Sequence, residues 1–183
     1  MFSVMLCGAA DTKQVSTAFE SAIRGFGGEA LWYQSGRITY LNGPDSSWAR
    51  NSRRTVSSAD LCVFVIIEHY GAITWSAELD EALNEGVPFI ILCLSSTYEE
   101  YTILRQNGLQ EAINEDGKKN LISVLMEIEF ERQLTVVPFD VTNFSSTLEQ
   151  QLAMLFSQSL RYLSDRNKRD SLQRILRAPE NLT

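Results

Sequence analysis

Residues Ala59–Leu94 read ADLCVFVIIEHYGAITWSAELDEALNEGVPFIILCL. Leu61–Ile67 is a seven-residue run without a charge, as expected of a strand buried on both faces of a parallel sheet. Val87–Leu94 is a second run of the same kind. Between them the pattern predicts an amphipathic helix that Thr74 caps and Gly86 ends. Strand, helix and strand in this order form the unit of a parallel α/β sheet.

Outward from this unit the alternation continues. Ser3–Cys7 is an apolar strand, and Gly8–Thr12 a small-residue turn that opens a helix. Val15, Ala18, Phe19, Ala22, Ile23 and Phe26 recur there at helical spacing, until Gly25, Gly27 and Gly28 stop it. Glu29–Tyr33 predicts a weaker strand and Gln34–Pro44 a loop. Asp45 or Ser46 is the expected cap of a thinly packed helix running to about Ser58. Beyond the central unit, Thr97–Gln106 reads as a helix broken by Asn107-Gly108, and Leu109–Lys119 as a polar stretch. Leu121–Arg132 is a further helix, Leu134–Phe139 a fifth strand and Leu148–Leu163 a closing helix. The expected organisation is an α/β domain over residues 1–163, with residues 164–183 as a charged C-terminal helix or tail. Strand and helix alternation of this length predicts a flavodoxin-like five-stranded parallel sheet, order 2-1-3-4-5, with helices on both faces. Ligands in such sheets bind beyond the carboxyl ends of the strands where the order reverses, here between the first and third strands.

Composition narrows the function. With 183 residues and 44% hydrophobic residues, one domain with a sizeable core is expected. No run approaches the ~18 apolar residues of a membrane span, and MFSVMLCGAA reads as a strand rather than a signal peptide, so a cytoplasmic protein without membrane contact is expected. A net charge of -7 argues against a nucleic-acid partner. Arg50, Arg53 and Arg54 read as a solvated helix face, with an anion or partner contact as the alternative. Cys7, Cys62 and Cys93 sit in or at the ends of apolar strands without CxxC spacing, so buried thiols in a reducing compartment are expected. A single histidine, His69, and no Cys/His cluster argue against a metal site.

Glu78 is the candidate for chemistry. On a helical wheel Trp75, Leu79, Ala82, Leu83 and Gly86 share the face expected on the sheet, and Glu78 lies about 80° from its centre at ~100° per residue. If Thr74 caps the helix, the acid of a capping box would stand at Ala77, so capping does not explain Glu78. Two readings stay open: favourable interaction with the helix dipole, and catalysis. The helix N-terminus is expected to keep the carboxylate ionised. An ionised carboxylate beside a sugar carbon stabilises an oxocarbenium-like transition state or attacks it. No partner acid stands out, which suits a leaving group that needs no proton, such as nicotinamide from NAD⁺. The crevice gathers Gly8, Ala9 and Asp11 with the aromatics Tyr33, Tyr40, Tyr70, Trp32 and Trp75; core packing is the default for Trp32 and Trp75, while Tyr70 is the better placed to stack on a ring. GxGxxG, P-loop and GxSxG motifs are absent. A response-regulator reading fails because the third strand ends Ile66-Ile67-Glu68 and the fifth Pro138-Phe139-Asp140.

Thr74-Trp75-Ser76-Ala77-Glu78-Leu79, with Ser58-Ala59-Asp60 leading into LCVFVI, resembles the Toll/interleukin receptor (TIR) domain family in its stand-alone bacterial form. Catalytic members carry a glutamate in the helix after the third strand, within a pattern like S-x-W-x-x-E. The opening VMLCGAADT departs from the family's usual F-[IV]-S-[YF]-x-x-x-D and keeps Asp11. The resemblance implies a hydrolase that cleaves the nicotinamide–ribose bond of NAD⁺, forming ADP-ribose or a cyclic form, with Glu78 catalytic. It implies substrate contacts from Gly8, Ala9, Asp11, Tyr40, Tyr70 and Trp75, and no cofactor beyond NAD⁺ or a related nucleotide as substrate. It further implies self-assembly, a signal-sensing effector partner, a role in antiviral (anti-phage) defence, and Gln34–Pro44 as the loop that gates the site. A second resemblance is to nucleoside 2-deoxyribosyltransferases, which place a glutamate nucleophile in the equivalent helix; Gly71-Ala72-Ile73-Thr74 partly echoes their D-x-G-T. A non-enzymatic assembly adaptor and a ligand sensor without turnover are the remaining alternatives.

Overall fold

A computed structural model of the chain describes residues 1–38, 47–108 and 113–177, with side chains through residue 170. Its elements in order are β1 (Ser3–Gly8), α1 (Ser16–Gly25), β2 (Glu29–Leu31), α2 (Trp48–Ser58), β3 (Leu61–Ile66), α3 (Leu79–Glu85), β4 (Phe89–Leu94), α4 (Ser95–Gln106), α5 (Asp116–Met126), β5 (Val136–Phe139) and α6 (Phe144–Arg177). The five strands form one all-parallel sheet in the order β2-β1-β3-β4-β5. The expected α/β, flavodoxin-like arrangement is therefore the observed one.

The central strand explains why. Every residue of β3 is buried, because neighbours pair on both edges and helices cover the faces. Val4 lies beside Leu61 and Cys7 beside Phe64, while Cys62 lies beside Phe89 and Ile66 beside Cys93. Cys62, Phe64 and Ile66 pack in one core with Val56 of α2, Trp75 and Leu79, Tyr101 of α4, and Leu121 and Leu125 of α5. The chain steps one way across the sheet from β1 to β2 and the other way from β2 onward. Right-handed crossovers then put α1 on one face and α2 to α5 on the other.

Several boundaries differ from the sequence reading. β2 stops at Leu31, β4 starts at Phe89 and β5 at Val136, all shorter than their apolar runs. α5 starts at Asp116, inside the stretch read as merely polar. The cap of α2 is Ser47, whose Oγ accepts from the Arg50 amide at 3.2 Å; Asp45 and Ser46, the expected caps, lie outside the described residues. Only Val56 of α2 is buried, as its thin apolar content requires, and Arg50, Arg53 and Arg54 are exposed. α6 is one helix of 34 residues, running well past the predicted stop at Leu163. The chain divides into two units, Met1–Thr147 with the sheet and Leu148–Thr183 with most of α6. All three cysteines are buried free thiols. Among the described residues no helix is long and apolar enough to cross a membrane, and no cluster of potential metal ligands occurs.

Candidate active site

Two glycines let the loops after β1 and β3 meet. A Cβ on Gly8 would stand 2.3 Å from Cγ2 of Thr12 and 2.7 Å from the Val65 carbonyl oxygen. A Cβ on Gly71 would stand 2.9 Å from Oγ1 of Thr74 and 3.2 Å from the Ala9 amide nitrogen. Neither position has room for a side chain, so the two backbones approach directly. Asp11 ties the same loops together. Its Oδ2 accepts from the Glu68 amide at 2.8 Å and the His69 amide at 2.9 Å, and lies 3.0 Å from Nδ1 of His69. Asp11 is thus a clamp between loops and, although expected among the substrate contacts, is not one of the residues lining the cavity.

The segment after this loop is helical before Thr74. A π-helical turn, Thr74–Glu78, precedes α3, and the Trp75 amide donates to the Gly71 carbonyl at 3.2 Å. Thr74 is therefore buried inside the helix and is not its cap. A π turn inserts a residue relative to the α repeat, so a wheel at 100° per residue misplaces side chains across it. Leu83, expected on the sheet, is 40% exposed, while Ala77 is 1% exposed and Glu78 only 7%. Glu78 is buried rather than at the rim of the packed face.

Burial governs its chemistry. Glu78 Oε2 is enclosed and has no hydrogen-bond partner among the described residues. Desolvation pushes the Glu78 pKa above the ordinary carboxylate value, and the neighbouring hydroxyls of Ser52 and Thr74 and the thiol of Cys7 only partly oppose it. Burial thus acts against the helix N-terminus, which favours the ionised form. The same neighbourhood raises the Cys7 thiol well above its usual value, through burial first, then Cys62 and the charge of Glu78.

Glu78 lines a cavity of about 350 Å³ at the carboxyl ends of β1 and β3, where the strand order reverses. Gly8, Ala9 and Tyr70 line it as expected. Trp75 does not: its ring lies 5.9 Å from that of Phe64, and it belongs to the core. Tyr40 lies outside the described residues. Tyr33, named as an aromatic near the crevice, also lines the wall, as do Trp48 and Ser52 of α2, which the sequence reading missed. Their spacing of four was the available signal, since it puts both side chains on one face of a helix.

A second cavity, about 420 Å³, lies among Glu68, His69, Glu100, Tyr101, Lys118 and Leu121. It is the larger, but Glu100 and Lys118 form an ion pair with each other, and His69 is bound to Asp11. The smaller cavity holds the buried carboxyl with an oxygen to spare, and it is the candidate active site.

No protein-family model matches the chain, and no curated protein matches it.

Proposed function

We propose that the chain cleaves an N-glycosidic bond, in the first reading the nicotinamide–ribose bond of NAD⁺, with Glu78 as the catalytic carboxylate. The observation that carries this reading is Glu78 itself, buried on the wall of the switch-point cavity with an oxygen that has no partner among the described residues. The resemblance of Thr74–Leu79 to the catalytic segment of TIR domains supports the same assignment.

The chemistry follows from charge. The nicotinamide ring of NAD⁺ is a cation and leaves as a neutral molecule, so no acid has to protonate it. As the bond breaks, the electron pair goes to the ring nitrogen and positive charge moves onto the ribose. An adjacent carboxylate stabilises that charge, or bonds to the sugar carbon until water displaces it. Water supplies the oxygen of the product and loses a proton to solvent. A cationic ring bound beside Glu78 favours the ionised carboxyl, opposing the burial that raises its pKa. The substrate thus helps to ionise the group that acts on it. The defence role, the self-assembly and the effector partner implied by the TIR resemblance are carried forward as parts of this proposal.

One feature favours a second reading, base release from deoxynucleosides. Among the described residues, no lysine, arginine or histidine lines the cavity, although a dinucleotide brings two phosphates. Wild type and Glu78→Gln are incubated at high concentration with NAD⁺ and, separately, with deoxynucleosides, and products are read by mass spectrometry. Nicotinamide release that Glu78→Gln abolishes is the expected result. Release that survives the substitution overturns the assignment, and base release with NAD⁺ untouched replaces the first reading by the second.

A further inference from the structure

Among the described residues, the walls of the Glu78 cavity combine three aromatic side chains with no positively charged one. Tyr33 follows β2, Trp48 opens α2 and Tyr70 lies in the loop after β3, so three separate elements each contribute one ring. Tyr33 and Trp32 form a T-shaped ring pair at 6.0 Å, and Trp32 Nε1 donates to Glu20 Oε1 at 2.6 Å. Tyr33 and Tyr70 are half-buried, while Trp48 is 73% exposed although it lines the cavity. Its indole adds apolar surface to the cavity wall.

From this arrangement we infer that Tyr33, Trp48 and Tyr70 hold the flat base of a nucleoside, with the sugar carbon over Glu78 and any 5′-phosphate left outside. The inference rests on the glycosidase reading of Glu78 and deepens it by naming the part of the substrate that is recognised. Aromatic faces bind any base, because every base has a π-face. A cationic ring such as nicotinamide gains further from the ring quadrupoles. A phosphate gains nothing comparable. Among the described residues the cavity wall has no cation to meet it, and the net charge of -7 opposes it. A volume of about 350 Å³ lies near the lower end of the range for small-ligand pockets, about 300–1,000 Å³, as suits a nucleoside rather than a dinucleotide.

The test measures binding separately from turnover. The Glu78→Gln chain is titrated by calorimetry with nicotinamide riboside, its 5′-monophosphate and NAD⁺. The same titrations are repeated with Trp48→Ala and Trp48→Phe added; Trp48 is exposed, so its replacement leaves the core intact, which a thermal melt checks. The riboside is expected to bind at least as tightly as its monophosphate and NAD⁺. Trp48→Ala is expected to weaken it about tenfold, and Trp48→Phe to recover most of that loss. A monophosphate or dinucleotide that binds more than about tenfold tighter than the riboside would show a phosphate site and overturn the inference. An unchanged affinity in Trp48→Ala overturns it too, as does a lack of binding by all three ligands. Turnover by the wild type is scored independently. Expected binding without turnover defeats the glycosidase reading alone, and turnover with a strong phosphate preference defeats this inference alone.

Discussion

Glu78 lies in the π-helical turn Thr74–Glu78, and Glu129 in the π-helical turn Glu127–Glu131. Both turns adjoin an α-helix packed on the same face of the sheet. The two carboxyls are satisfied very differently. Oε1 of Glu129 accepts from the Tyr98 hydroxyl and Oε2 from the Tyr101 hydroxyl at 2.8 Å, which ties the end of α5 to α4. Glu78 is the more deeply buried of the two, yet among the described residues its Oε2 has no such donor. A buried polar atom without a partner costs stability. The contrast shows that an irregular helix turn alone does not mark a site. What distinguishes Glu78 is unspent hydrogen-bonding capacity on the wall of a cavity.

The sharpest way to break this contrast is to make one substitution at both positions. Glu78→Gln is expected to lower product release on the order of 10²–10³-fold, the scale of losing one preorganised electrostatic contact to the transition state. Glu129→Gln is expected to leave the rate unchanged. Equal loss at both positions would remove the distinction between them.

The next largest effect is on stability, and it runs the other way. Glu129→Ala leaves the Tyr101 hydroxyl without its acceptor and is expected to cost about 1–3 kcal/mol in urea denaturation. The tyrosines report on the same contact. The Glu129 hydrogen bond pushes Tyr98 up to about 12 from 10.0, and burial, then Glu129, raises Tyr101. The folded chain therefore resists their ionisation. The stability they contribute is complete below pH 10 and is lost as pH rises through the folded values. Tyr98→Phe/Tyr101→Phe should flatten that alkaline decline in thermal melts.

Glu78 gives a smaller, pH-dependent signature. Its folded pKa is raised above an ordinary value of 4.5, so its contribution is full below pH 4.5 and is lost as pH climbs through the raised value. The melting temperature of Glu78→Gln should match wild type below that pH and exceed it at neutral pH. A variant less stable than wild type at neutral pH would mean that the carboxylate is satisfied after all.

Asp11 supplies an intermediate case, with Oδ2 bonded by the two loop amides and Oδ1 buried without a partner among the described residues. Asp11→Asn keeps an acceptor and loses the charge, so a cost of about 0.5–1.5 kcal/mol is expected in the same denaturation assay. A rate loss as large as that of Glu78→Gln would move Asp11 from clamp to chemistry.

Much of this was legible in one dimension. The uncharged runs Leu61–Ile67 and Val87–Leu94 announce strands covered on both faces, and their alternation with helices leaves few sheet orders to consider. The switch point and the presence of Glu78 beside it follow from that order. Core packing, the default reading of Trp75, is what the structure has; its place among the substrate contacts came with the TIR resemblance alone. A residue three positions from Glu78 can face the core, and Trp75 does so against Phe64. Trp48 and Ser52 went unseen because they approach Glu78 from α2, across a gap in sequence that no local period bridges.

Hydrophobic patterning by itself determined the parallel sheet and narrowed its order to a few, and with it the neighbourhood of the site, because burial of a strand on both faces demands a particular composition. Only the tertiary structure decided the state of Glu78. Whether a carboxyl is ionised, and whether its oxygens are satisfied, depends on solvent access and on donors brought from other elements. Here a single π turn rotated Glu78 inward, and Ser52, Thr74 and Cys7 surround it without fully compensating its burial.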